Sequence, residues 1–251
     1  MSDPVVRVIG YTAFVGVPPE YAASEDQDQG SPAARLIETA GRTCYASYGK
    51  GRSSAAFHQH LLEVGHGNPL EHASLSFHIS RISRACANEW VRHRAGCAIS
   101  QRSSRYCDES QSEWCWHPIL SKTGGADLDL PLGAVQAEAR RAYRAVYEAV
   151  FRALSEEDVD LASAKKQARG AARGILGNAL STELVFSCNI RALRHILEQR
   201  ASPFADAEIR LLANRVYEAA LPCCPEYLGD YTRTPAPDGI GFCLETEHRK
   251  V

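Results

Sequence analysis

Of the 251 residues, 45% are hydrophobic, enough for a substantial buried core. The formal net charge of -2 excludes a general polyanion binder, because sequence-independent affinity for nucleic acid needs a broad surplus of cations, so any anion site must be local. No apolar run reaches the roughly 18 residues of a membrane span, and nine cysteines without a paired CxxC framework or a signal peptide point to a soluble, cytoplasmic protein.

Residues 4–15 are β-branched and partly alternating, which predicts an opening strand. The stretch 16–32, with its prolines and its Asp/Gln/Glu run, reads as an exposed loop. Helical spacing of apolar residues predicts a helix from Pro32 to Tyr45 and a second one capped by Ser53-Ser54 and ending near Gly65. After Asn68-Pro69 breaks the chain, residues 70–80 alternate like a half-buried strand that puts His72, Ser74 and His78 on one face.

A helix is expected over Ser83–Arg94, stopped by Gly96, so that Arg92, His93 and Arg94 occupy its last turn, where the helix dipole favours cations. Successive residues there point about 100° apart, so the three side chains must splay. Residues 100–106 are read as a loop or extended segment, and 107–131 as a connecting excursion without chemistry. Amphipathic patterns predict helices over Leu132–Leu154, Ala162–Leu176, Arg191–Gln199 and Ala205–Ala220, with a buried strand over Thr182–Asn189. Arg191 and Arg200 lie about half a turn apart on their helix and should serve different sites. The tail from Pro222 reads as Pro/Gly-rich and draped over the surface. Helices dominate and no glycine-rich phosphate loop follows a strand, which favours an α+β fold with helices packed on an antiparallel or mixed sheet, as one domain over 1–251.

The chemistry concentrates in Glu89-Trp90-Val91-Arg92-His93-Arg94 and Ser100-Gln101-Arg102-Ser103-Ser104-Arg105-Tyr106. Five cationic or potentially cationic side chains stand there among hydroxyls and an amide, with Glu89 the only acid. Only five of the 28 basic residues in the chain are lysines, and arginine is the side chain whose planar fork grips phosphate and carboxylate with two bonds. This cluster calls for an anion. Zinc is not expected, because no His/Cys spacing supports four ligands, and Cys97 and Cys107 are read as inert buried thiols. An RNA or DNA module is the competing class, but it lacks the basic surface and stacking aromatics of such modules.

Three blocks in order resemble the flavin-dependent thymidylate synthases: Gly67-Asn68-Pro69-Leu70-Glu71-His72, the Glu89–Tyr106 region, and Asn189-Ile190-Arg191-Ala192-Leu193-Arg194-His195 ending at Arg200-Ala201-Ser202. The resemblance covers residues 56–220 and implies a homotetramer with FAD where subunits meet, NADPH as reductant, and methylenetetrahydrofolate as one-carbon donor to a uracil nucleotide. It implies flavin-facing roles for His72, Ser74, Arg92, His93, Arg94, Asn189, Arg191 and His195. It also implies nucleotide-facing roles for Arg92, Gln101, Ser103, Ser104, Arg105, Arg173 and Arg200, with Arg200 and Ser103 at the reacting base.

Four departures stand out. The family pattern is Arg-His-Arg, seven residues, then Ser, whereas here eight residues (95–102) precede Ser103. Glu89 replaces a glutamine on the nucleotide, Phe204 a histidine near FAD, and Gly170 an acid. A family branch in peptidyl-nucleoside antibiotic pathways methylates UMP instead of dUMP. An acceptor-only carboxylate at Glu89 and a longer loop are what a ribose 2′-hydroxyl would call for, so UMP is the expected acceptor, with ordinary dUMP methylation and a catalytically inactive flavin-binding paralogue as alternatives.

Overall fold

The computed structural model describes residues 3–18 and 30–249. Part of the loop expected over 16–32, residues 19–29, lies outside the described residues. The chain divides into two compact units, one built mainly from 80–89 and 101–184 and the other from 4–79, 90–100 and 185–251. Six strands are β1 (Val5–Tyr11), β2 (Ser74–Ser83), β3 (Cys97–Gln101), β4 (Ser181–Asn189), β5 (Thr232–Pro235) and β6 (Phe242–Glu245). The first four form a sheet in the order β1-β2-β4-β3, and the last two a separate hairpin. Backbone bonds from Asn189 N to Gly96 O and from Arg102 N to Glu183 O make β3 and β4 antiparallel. Helices together with an antiparallel sheet make the fold α+β, as expected.

The first unit is organised by α5 (Gly125–Glu156) and α6 (Leu161–Ala172), which pack on each other. Ala164, Ala168 and Ala172 recur every fourth residue and are all buried, so α6 offers a small-residue stripe to its neighbour. Asp160 starts α6 by accepting from the backbone of Ala162 and Ser163. The segment 107–131, expected to be irregular, instead contains α4 (Pro118–Thr123) and the first turns of α5. The sequence there lacks a long apolar stripe, which hid the helices; several of their residues are exposed, Leu130 among them.

The second unit packs β1 on α8 (Ala207–Ala220) and α8 on α7 (Ile190–Arg200). Ile190, Leu193, Ile196 and Leu197 of α7 and Ile209, Leu212, Ala213 and Val216 of α8 are all buried, the apolar faces of two amphipathic helices. Helices α1 (Pro32–Tyr45) and α2 (Ser54–Glu63) match their expected spans, with Ser31 and Ser53 accepting at their N-termini. The tail does not drape over the surface. Tyr227 and Leu228 on α9 (Pro225–Leu228) are fully buried, as is Arg194 of α7. Arg194 grips Asp230 with two bonds, 2.7 and 2.9 Å, and also donates to the carbonyls of Tyr227 and His248. A buried guanidinium needs that many acceptors, and the tail supplies them.

Candidate active site

The Arg92-His93-Arg94 triplet does not sit in a helix. Helix α3 (Arg84–Trp90) ends before it, and the triplet lies on the turn that leads into β3. Trp90, fully buried against Phe186 with ring centroids 5.5 Å apart, anchors that turn, and Gly96 closes it at φ +68. The helix-dipole argument for these cations therefore falls away. Their divergence holds: Arg92 and Arg94 are exposed, while His93 points inward.

His93 Nε2 accepts from Arg200 Nε at 2.9 Å, and its ring lies 6.3 Å from that of His195. Burial, then the Arg200 charge, then His195 push the His93 pKa down to about 4. At neutral pH it is an uncharged acceptor that holds the Arg200 fork in place. Since α7 runs from Ile190 to Arg200, Arg191 at its start and Arg200 at its end serve different partners, as their spacing requires.

At the start of α7 the unit has a cavity of about 370 Å³ lined by Glu71, Ala95, Gly96, Asn189, Arg191, Ala192 and His195. Asn189 caps α7, its Oδ1 accepting from Ala192 N at 2.8 Å. Gly96 matters because a Cβ there would lie 2.5 Å from Asn189 Nδ2. Arg191 pairs with Glu71 at 2.5 Å, both side chains 45% exposed. Glu71 ends in a 3-10 turn (Asn68–His72), which leaves His72 exposed just before β2. Ser74 opens β2, its backbone N–H donating to Thr12 Oγ1 at 2.8 Å. A helix N-terminus with an arginine, an amide and a glycine that permits close approach suits a pyrophosphate or flavin edge, so these residues fit FAD. The Cys97 thiol nearby is pushed up to about 11 by burial, with Arg94 opposing, so it is no nucleophile at neutral pH.

Of the residues expected on the nucleotide, Arg92 and Arg200 belong to this same unit, while Glu89, Gln101, Ser103, Ser104, Arg105 and Arg173 fall in the other. Gln101 ends β3 and donates from Nε2 to Thr182 Oγ1 at 3.4 Å. Ser103 and Ser104 begin a turn in which the Ser103 carbonyl accepts from Tyr106 and Cys107, and Ser104 is buried. Helix α6 backs this turn: Arg169 Nη1 donates to Tyr106 O at 2.8 Å, and Lys166 lies 4.9 Å over the Tyr106 ring. Arg105 Nε comes to 3.9 Å of where a Cβ on Gly170 would be. Gly170 thus leaves space beside Arg105 where an acidic side chain would meet its guanidinium. Arg173 begins a 3-10 turn one helical turn after Gly170 and is exposed. Glu89 is half-buried in the last turn of α3.

Sequence reasoning missed Arg84, Glu109 and Glu183. Arg84 Nη2 and Arg102 Nε approach Glu109 Oε1 at 3.7 and 3.5 Å, and Arg102 Nη1 lies 3.4 Å from Glu183 Oε1. An acid three residues after Tyr106 was the available signal, hidden because 107–131 read as a connection.

The family model described as "Thymidylate synthase complementing protein" matches residues 28–226. Flavin-dependent thymidylate synthases of Mycobacterium avium (strain 104) and Mycobacterium tuberculosis (strain ATCC 25618 / H37Rv) are 39% identical over 241 residues, covering 93% of this chain and 92% of theirs. A crystal structure of thymidylate synthase X from Helicobacter pylori, with FAD and dUMP, aligns over 90% of this chain and 99% of its own at a TM-score of 0.58 and 20% identity. That likeness shows the fold. From the relatives and the family match, the chain belongs to the flavin-dependent thymidylate synthase family.

Proposed function

We propose that the protein catalyses flavin-dependent reductive methylation at uracil C5 of a uridine 5′-monophosphate nucleotide, with methylenetetrahydrofolate as one-carbon donor and NADPH as reductant. The observation that carries this reading is the cavity at the start of α7, where Gly96, Asn189, Arg191 and His195 converge. His72, Ser74, Arg92, His93 and Arg94 complete the flavin-facing set. A flavin held there would supply the redox and one-carbon-transfer chemistry. The chain's own contribution is binding and electrostatics: Arg200, held by His93, stabilises the negative charge that develops on the uracil ring. Gln101, Ser103, Ser104, Arg105 and Arg173 hold the nucleotide. Ser103 Oγ accepts from Arg105 N at 3.4 Å, and the residue acts by hydrogen bonding, not as a nucleophile.

Two features of this chain favour UMP over dUMP. Glu89 offers a carboxylate acceptor, and the eight-residue spacing before Ser103, most of it in β3, adds one residue to the segment that presents Ser103. A site built to hydrogen-bond a hydroxyl discriminates strongly against the analogue that lacks it. The names of the relatives support the alternative, dUMP. Comparing kcat/KM for the two nucleotides decides: UMP is used at least as well as dUMP, and Glu89→Gln narrows the gap. A clear dUMP preference in the unaltered enzyme makes it an ordinary thymidylate synthase.

The working enzyme is proposed to be a homotetramer, the form implied by the family resemblance, with closed symmetry. Ile9 and Tyr11, one strand repeat apart on β1, are 56% and 64% exposed, an apolar pair suited to a second copy. Light scattering on the flavin-loaded protein returns a tetramer mass; a fully active monomer contradicts the assembly.

A further inference from the structure

Glu109 is the one acid in its unit that is both 1% exposed and surrounded by arginines, among the described residues. Its Oε2 accepts from Ser112 Oγ, and its backbone N–H is 3.5 Å from Tyr143 Oη. Its Oε1 makes no hydrogen bond at all, yet it lies 3.7 Å from Arg84 Nη2 and 3.5 Å from Arg102 Nε. Burying a carboxylate is costly unless its charge is matched. Here the match is two guanidiniums that share one oxygen at ion-pair distance instead of gripping it.

Both arginines lead toward the nucleotide residues. Arg102 directly precedes Ser103-Ser104-Arg105, and its backbone N–H and its side chain both reach Glu183, on β4. Arg84 Nη2 also reaches the Arg102 carbonyl at 3.5 Å, so the two arginines are tied to each other as well as to Glu109. Burial chiefly lowers the Arg84 pKa; Glu109 opposes that, and the charges of Arg173 and Arg102 add to it. Arg84 is therefore within electrostatic reach of Arg173. Without Glu109, only Glu183, on Arg102, would offset three like charges in this region before any phosphate arrived.

We propose that Glu109 is a positioning residue for nucleotide-phosphate recognition: it holds Arg84 and Arg102 so that the Ser103–Arg105 turn and Arg173 present a preformed site to the phosphate dianion. The inference rests on the nucleotide-holding roles proposed above for Ser103, Arg105 and Arg173. Removing the carboxylate has two opposed effects. It makes the local field more positive, which attracts phosphate, and it lets the arginines drift apart, which destroys the geometry that a two-bonded fork requires. Loss of geometry dominates, because the phosphate gains from arginines only where their donors converge.

The test measures binding of UMP, dUMP and uridine to the FAD-loaded enzyme. Glu109→Gln is expected to weaken both nucleotides by about tenfold or more, while uridine, which lacks the phosphate, and flavin occupancy change less than about twofold. In the Glu109→Gln background, Arg84→Met is expected to cost the nucleotide less than it does alone, because both changes remove the same arrangement. If Glu109→Gln does not fold, Glu109→Asp, which keeps the charge on a shorter side chain, is expected to weaken UMP but not uridine. Equal loss for nucleotide and nucleoside, additive effects with Arg84→Met, or undiminished UMP binding in the variant that folds would overturn the inference. A wild-type enzyme that binds neither nucleotide overturns the underlying reading, and this inference with it.

Discussion

Arg200 Nε donates to His93 Nε2 at 2.9 Å, which fixes His93 as a neutral ring with its proton on Nδ1. The folded-state pKa, pushed down to about 4 by burial first and by Arg200 and His195 after it, lies below the ordinary 6.5. Between these values the unfolded chain binds the extra proton, so the stability His93 contributes is fully present above pH 6.5 and is lost as pH falls toward 4. An NMR titration should find the His93 midpoint near 4, rising toward 6.5 in Arg200→Gln without reaching it, because burial remains. A wild-type midpoint at 6.5 would mean that Arg200 does not bear on His93. In turnover, Arg200→Lys keeps the charge but loses the fork, and kcat should fall by about 10²–10³ with a smaller change in nucleotide binding.

Gly96 offers a sharper packing test. At φ +68 any side chain strains the backbone, and a Cβ would lie 2.5 Å from Asn189 Nδ2 and 2.9 Å from its Cγ. Asn189 cannot yield without giving up its cap on α7. Gly96→Ala should cost about 1–3 kcal/mol from strain and a weakened cap, and should lower flavin occupancy as well. Unchanged melting temperature and occupancy would show that the turn relaxes freely.

Arg191 and Glu71 form an ion pair with both side chains 45% exposed, so its stability contribution is small, about 0–1 kcal/mol. Their roles then separate by charge. Arg191→Gln should weaken flavin binding by about tenfold, since a guanidinium is lost from an anion site. Glu71→Gln should leave flavin binding unchanged or tighter, since an acid leaves the same cavity. Equilibrium titration of apo-protein with FAD separates the two; equal weakening in both would show that the pair, not the cation, matters.

How far the sequence could be read varied with how local the signal was. Helices α1, α2, α7 and α8 announced themselves through apolar stripes, α2 also through its Ser53-Ser54 cap, and each is found within a few residues of its expected span. The opposed placement of Arg191 and Arg200 followed from helical geometry alone and is observed. The triplet's setting was misjudged because Trp90, which reads as one more apolar helix position, instead plugs the core and ends the helix. The tail was misjudged because its structure answers a buried arginine elsewhere: Arg194 needs Asp230 and two carbonyls, and no local pattern in the tail reveals that. Glu109 shows the same limit, since only the fold brings Arg84 and Arg102 to it.

The most direct test of the account is product formation. Enzyme loaded with FAD is incubated without oxygen with NADPH, methylenetetrahydrofolate and UMP or dUMP, and the nucleotide is analysed by mass spectrometry. The account predicts a nucleotide heavier by one methylene unit with the new methyl on uracil C5, together with tetrahydrofolate and oxidised NADP, and loss of product in Arg200→Lys. NADPH oxidation by a fully flavin-loaded enzyme with both nucleotides recovered unchanged would contradict it and leave a flavin-binding paralogue without methylating activity.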